Sequence, residues 1–205
     1  TPIENLVWPC RELPPGMQLP NVSYEYNTVS NPLVTIYIPM YNAEIYVERT
    51  VQSALAQTYK NIEVCIHDDG STDSSLIIVN ELFGNNPLVK ISSSENGGIG
   101  TASNRAIELG KGELILQLDS DDTIEPEAVE RLVEQFENYP GIVCSYGNFC
   151  RIDSTGVLID QGWEHPVYSQ YRLMRSMIVH PPRLFRRDAF EKIGGFNEEL
   201  TNAVD

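Results

Sequence analysis

From Leu33 onward the chain alternates short apolar runs with stretches of helical period. LVTIYIP (33–39) is continuously apolar and bounded by turn residues, the pattern of a strand buried on both faces. Residues 44–56 place Val47, Val51, Ala54 and Leu55 on one side of a helix. IEVCIH (62–67) predicts a second strand, and Asp73 opens a helix carrying Leu76, Ile77, Val79 and Phe83. LVKIS (88–92) predicts a third strand, and the glycine loop Asn96-Gly97-Gly98 leads into a helix over 99–109. ELILQLD (113–119) predicts a fourth strand, and Pro126 stands near the start of a helix reaching about Asn138. GIVCSYGNF (141–149) predicts a fifth strand. Strand and helix alternating at these intervals imply an α/β fold, with a Rossmann-like, mostly parallel sheet and helices on both faces.

The two ends of the chain behave differently. Residues 1–32 hold six of the 13 prolines and no persistent period, so they read as a linker or surface arm that Trp8 and Tyr24 pin down. Residues 150–205 are less regular and predict short strands and a helix near 170–178. The chain reads as a piece of something longer, with one domain over 33–205 that is truncated at its C-terminal end.

Composition narrows the partners. A net charge of −15 disfavours nucleic acid or an anionic membrane surface as the main partner. It leaves room for an anionic nucleotide held through a metal and backbone N–H groups. No apolar run approaches a membrane span, so no membrane span is expected. Cys10, Cys65, Cys144 and Cys150 form no CxxC pair, which points to a reducing, cytoplasmic compartment.

Candidate chemistry sits where the strands end. Ligands of open parallel sheets bind beyond the C-terminal strand ends. Tyr41-Asn42 follow the first strand, Asp68-Asp69 the second, and Asp119-Ser120-Asp121-Asp122 the fourth. Three carboxylates crowded in Asp119–Asp122 repel one another, and such a site usually holds a cation; oxygen ligands favour Mg²⁺, Mn²⁺ or Ca²⁺. An acidic loop that caps the next helix is the structural alternative. In DDGSTD (68–73), Ser71 or Asp73 suits a helix cap, whereas Asp68 and Asp69 are free to accept the N–H of a base or the hydroxyls of a ribose. Three familiar patterns bear on these segments. The glycine loop fails as GxGxxG, because Ser103 stands at the third glycine. The acidic segment fails as an EF-hand, because Ile124 occupies the glycine position. It does match DxDxT (Asp119, Asp121, Thr123), the nucleophile motif of haloacid-dehalogenase-like phosphatases, although there the motif usually follows the first strand. His67, His165 and His180 each read as structural loop or strand-end residues when taken alone.

VTIYIPMYN, IHDDGSTD, ENGGIGTASNRAI, LILQLDSDD and GGFNE, in this order, resemble the family-2 glycosyltransferases of the GT-A nucleotide-diphospho-sugar transferase fold. FGNNP (83–87), NGGI (96–99), QLDSDD (117–122), MIVH (177–180) and NAVD (202–205) are similar to the glucuronic-acid-transferring domain of bacterial two-domain chondroitin and hyaluronan synthases. The resemblance covers about 33–205. It implies an inverting transfer of a sugar from a UDP-sugar donor to a saccharide acceptor in polysaccharide biosynthesis. It also implies Mn²⁺ or Mg²⁺ as cofactor, a second transferase domain in the parent chain, and a peripheral place at the inner face of the membrane.

The resemblance implies the following roles, residue by residue. Tyr41, after Pro39 and before Asn42, stacks on uracil. Asp68 and Asp69 contact the uridine, and Gly97, Gly98 and Asn104 belong to the nucleotide-sugar site. Asp119 with Ser120 holds the ribose or the nearby loop. Asp121 binds the metal that bridges the two phosphates, and His180 completes the metal shell or touches the diphosphate. Asp205 aligns with the catalytic base. Many members carry Arg-Asn where this chain has Ser103-Asn104, with Arg105 one position late. Glucuronic acid as donor calls for a basic partner, for which Arg183, Arg186 and Arg187 are the candidates. Two other readings stay open: the phosphatase, and a non-catalytic nucleotide-sugar-binding module.

Overall fold

A computed structural model describes residues 30–161 and 181–199. They divide into two compact units, each taken by itself. The larger holds residues 30–147 and 181–199, and the smaller holds residues 148–161.

In the larger unit the elements run β1 (Val34–Met40), α1 (Val47–Leu55), β2 (Ile62–Asp68), α2 (Ser75–Phe83), β3 (Val89–Ser93), α3 (Ile99–Leu109), β4 (Leu114–Gln117), α4 (Ala128–Asn138) and β5 (Cys144–Tyr146). The smaller unit carries a hairpin, β6 (Cys150–Ile152) and β7 (Leu158–Gln161). The larger unit resumes with β8 (Arg183–Arg186) and α5 (Arg187–Lys192).

The sheet order is β3-β2-β1-β4-β8-β5. The first four strands are parallel, and β8 runs antiparallel between β4 and β5. The expected fifth strand over 141–149 is therefore three residues long, and it pairs with β8 rather than with β4. The proposed helix over 170–178 and the arm over 1–29 lie outside the described residues.

Alternation along β1 sorts the two faces. Val34, Ile36, Ile38 and Met40 pack against Val47 and Val51 of α1, Val79 and Phe83 of α2, and Val129, Val133 and Phe136 of α4. Tyr37 and Ile115 point the other way, onto Ala106 and Ile107 of α3 with Phe185, Phe190 and Phe196 packed alongside. Each such aliphatic side chain, fully buried, contributes roughly 1.5–3 kcal/mol. Every residue of β1, β2 and β4 is buried, which is why these strands read as mainly apolar runs without alternation.

Glu63 is the exception that proves expensive polar burial needs partners. Its carboxylate accepts from the Thr35 hydroxyl (2.7 Å), Lys90 Nζ (2.7 Å), the Gly112 N–H (3.0 Å) and the Lys111 N–H. Burial alone would raise its pKa, but the bonds from Lys90, Thr35 and Lys111 outweigh that and hold it below the usual range. Gly110 and Gly112 leave room for this knot: a Cβ on Gly112 would sit 2.4 Å from the Thr35 nitrogen.

α4 starts at Ala128, two residues beyond Pro126. Its first turn is completed from a distance, since the buried Gln57 accepts the Val129 N–H (3.0 Å) and donates to the Glu125 carbonyl (2.9 Å).

Candidate nucleotide-sugar site

The crevice begins where β4 stops pairing with β1. Their ladder ends at Tyr37 and Gln117, and the Leu118 N–H still reaches the Tyr37 carbonyl. Pro39 falls just past that point, so its missing N–H costs no ladder bond. Beyond it the β1 and β4 loops part and open a cavity of about 530 Å³. Pro39, Tyr41, Asn42, Asp69, Gly98, Asp119, Ser120 and Asp121 all line this one cavity. Tyr41 is 50% exposed on the cavity wall.

The loops after β1 and β2 are zipped together. Asn42 takes a left-handed backbone, φ 50°, and its side-chain oxygen accepts the Thr72 N–H (2.8 Å). In return Ser71, Ser75 and Asp73 accept the backbone N–H groups of Asn42 (2.9 Å), Ala43 (2.7 Å) and Glu44 (3.1 Å). Thus the second half of DDGSTD fixes the loop that carries Tyr41, beyond preparing a helix start.

The paired aspartates divide their work. Asp69 is buried, and its two carboxylate oxygens accept the N–H groups of Gly97 (2.8 Å) and Gly98 (2.9 Å). It therefore clamps the glycine loop as well as lining the cavity. Asp68 is equally buried and does not line the cavity; one oxygen accepts the Ser71 N–H (3.3 Å), while the buried Oδ1 has no hydrogen-bond partner among the described residues. Gly98 adopts φ +87°, with open space where a Cβ would project, so a ligand can approach the backbone closely. Asn96 and Ile99, which flank the glycines, also line the cavity; their position beside the loop was the signal that sequence reading passed over.

Asp121 is exposed within the cavity, and Asp119 is half-buried, with Oδ1 accepting from Gln117 Nε2 (3.1 Å). The Asp122 carboxyl is pushed up to about 6 by the protein packed around it and then by the charges of Asp119 and Asp121. Its surface is nonetheless exposed, so the packing is one-sided, and the like-charge crowding is the part a cation would reverse. Among the described residues no group of three or more His, Cys, Asp or Glu side chains converges on one point. The donors fit a hard cation that takes one or two carboxylates from protein and the rest from phosphate and water, and they do not fit a closed cage.

Other predicted residues are placed elsewhere. The amide of Asn104 holds the 194–198 segment, donating to the Phe196 carbonyl (3.0 Å) and Glu198 (2.9 Å) and accepting the Phe196 N–H (2.9 Å). It does not line the cavity. Gly97 contributes its N–H to Asp69 rather than a surface to the cavity. Arg105 donates to Ser94. His67 is buried between the hydroxyls of Ser92 (2.7 Å) and Ser94 (3.1 Å), and burial followed by Arg105 keeps its pKa below the ordinary value. Arg186 and Arg187 spend their guanidinium groups on backbone carbonyls of Pro140, Ile142, Ile107 and Gly112, near the start of β4 and away from the cavity. His180 and Asp205 lie outside the described residues.

Residues 35–194 match Glycosyl transferase family 2. The chain belongs to this family. Among similar family-2 proteins are the hyaluronan synthase of Pasteurella multocida (47% identical over 174 residues) and the chondroitin synthase of Escherichia coli (48% over 174 residues). These alignments cover 85% of this chain but only 18% and 25% of those synthases. The chain thus spans about a quarter or less of these two synthases. A structure of S. aureus TarS, residues 1–349, in complex with UDP superposes with a TM-score of 0.65 at 26% identity, covering 83% of this chain and 52% of that one. The family-2 match carries with it the GT-A fold of a mostly parallel sheet flanked by helices, and it disfavours the phosphatase reading. Among the described residues no helix is long and apolar enough to cross a membrane.

Proposed function

We propose that this chain transfers a sugar from a UDP-sugar to a saccharide hydroxyl, with inversion, as one domain of a polysaccharide synthase. The observation that carries the reading is the single cavity in which an exposed aromatic ring, a clamped glycine loop and the Asp119–Asp121 carboxylates meet, in a chain of this family.

In this reading the exposed Tyr41 ring stacks on the uracil, and Asp69, on the cavity wall, contacts the uridine; Asp68 is assigned beside it from its place in the sequence. The open face of Gly98 admits the diphosphate or sugar against the backbone. Asp119 and Ser120 position the ribose side, and Asp121 holds Mn²⁺ or Mg²⁺. When bound, that cation supplies charge neutralisation for the departing diphosphate. Asp205 is proposed, from its place in the sequence, to take the proton of the attacking acceptor hydroxyl, worth roughly 10²–10⁴-fold in rate. His180 is proposed beside the metal or diphosphate on the same ground.

Glucuronic acid is the proposed donor sugar, supported by the synthases this chain resembles. Arg183, Arg186 and Arg187 are each engaged within the protein, with Gln117 or with backbone carbonyls, and none of the three lines the cavity. The test is a donor panel (UDP-glucuronic acid, UDP-GlcNAc, UDP-GalNAc, UDP-glucose) with Mn²⁺ and oligosaccharide acceptors, read as UDP release and product mass. The reading expects transfer from one donor, UDP-glucuronic acid first. Metal-dependent UDP binding with neither hydrolysis nor transfer, also in the longer parent chain, would instead make this a nucleotide-sugar-binding module.

A further inference from the structure

We infer that Gln117 and Arg183 form a positioning pair that sets the Asp119 carboxylate for the nucleotide sugar; this rests on the function proposed above. Gln117 is the last residue of β4 and Arg183 the first of β8, and the antiparallel register sets them directly opposite each other. Arg183 Nε (3.1 Å) and Nη2 (2.5 Å) both donate to Gln117 Oε1. Gln117 Nε2 then donates to Asp119 Oδ1 (3.1 Å).

The direction of this chain of bonds is forced. A guanidinium has donors and no acceptor, so the amide must turn its oxygen toward Arg183. Its nitrogen is then turned toward Asp119, whose ionised carboxylate only accepts. Gln117 is buried, at 8% exposure, so its amide cannot exchange these partners for water at little cost. Asp119 stands two residues before Asp121 on the cavity wall. A glutamine placed among aliphatic neighbours at the end of a buried strand thereby fixes the first carboxylate of the acidic segment. Neither Gln117 nor Arg183 lines the cavity, so both act through Asp119 and are not catalytic residues.

Gln117→Glu separates this role from a merely structural one. At pH 7.5 a glutamate still accepts from Arg183, now as a charged pair, but it has no N–H for Asp119 and sets a like charge beside it. A structural role, joining β4 to β8, is preserved in that variant, whereas the positioning role is lost. The experiment uses the whole chain. In ¹H–¹⁵N spectra without ligand, the wild type should show one Gln117 side-chain amide proton shifted downfield and protected from exchange, and Asp119→Ala should abolish the shift. Calorimetric titration with UDP and Mn²⁺ should show at least a tenfold loss of affinity in Gln117→Glu with the melting temperature unchanged or raised. Arg183→Met, which frees the amide to rotate, should lose about threefold to tenfold. A Gln117 amide that is unshifted, or indifferent to Asp119→Ala, overturns the pair whatever the ligand. So does wild-type affinity in Gln117→Glu. A wild type that shows the shifted proton but does not bind UDP with Mn²⁺ sinks the proposed function, and the positioning geometry then stands on the spectra.

Discussion

Replacing Asp69 with Asn distinguishes a carboxylate that builds the site from one that merely waits for ligand. In the free protein its two oxygens take the N–H groups of Gly97 and Gly98 at 2.8 and 2.9 Å. Hydrogen bonds to a charged acceptor contribute roughly 1.5–3 kcal/mol each, and neutral ones about 1. Asparagine keeps one acceptor, so one bond weakens and the other is lost, with an NH₂ turned toward a backbone N–H. Gly97 is exposed and Gly98 half-buried, so water recovers part of the loss. The net cost is then about 2 kcal/mol, or roughly 4–8 °C in melting temperature for a chain of this size. Amide exchange at Gly97 and Gly98 should also accelerate, by roughly tenfold or more, while exchange in β1 follows only the global change. The measurement is ligand-free: thermal melts and residue-resolved hydrogen exchange. Unchanged melting together with unchanged exchange at both glycines would refute the clamp and leave Asp69 with a ligand role alone.

Glu63 predicts a pH dependence. Its pKa is held below the unfolded value, so its contribution is present above about pH 4.5 and is lost as pH falls through the folded value. Wild-type stability should therefore fall below pH 4.5, and Glu63→Gln should be less stable at pH 7 with a shallower acid limb; parallel limbs in denaturant melts would contradict this. Gly112→Ala drives a Cβ into the Thr35 nitrogen at 2.4 Å and the Leu33 carbonyl at 2.7 Å. Both contacts are backbone, so the expected cost is about 3 kcal/mol or poor folding, and a melt within 1 °C of wild type would refute it. The Cys65 thiol is buried and pushed up to about 12 by that burial and then by Glu63, so it should resist alkylation until the chain unfolds, while the exposed Cys150 labels at once. Peptide mapping after timed labelling checks this, and early modification of Cys65 would count against the fold.

The central sheet was legible because burial on both faces writes a strand as a mainly apolar run, as in β1 and, around Glu63, in β2. The cavity was legible in outline because its loops follow those strands in an α/β chain. What escaped was long-range. β8 inserts between β4 and β5 by antiparallel pairing, and no local period encodes which strand a short segment joins. Asp69 and Asn104 were assigned to ligand by resemblance, yet each also holds backbone 28 or more residues away. The roles of Gln57 and Gln117 are not legible locally, because a partner 66 to 72 residues distant leaves no trace in the residue itself. Of the two aspartates, Asp68 keeps an oxygen with no hydrogen-bond partner among the described residues, and that oxygen is buried.

The central claim is that this cavity binds a uridine diphosphate through a cation held at Asp121. Calorimetric titration of UDP into the chain with and without Mn²⁺, for wild type and Asp121→Ala, tests it most directly. The account predicts binding that needs Mn²⁺ in the wild type and falls at least tenfold in Asp121→Ala. UDP affinity that is the same without metal, or unchanged by Asp121→Ala, would contradict it.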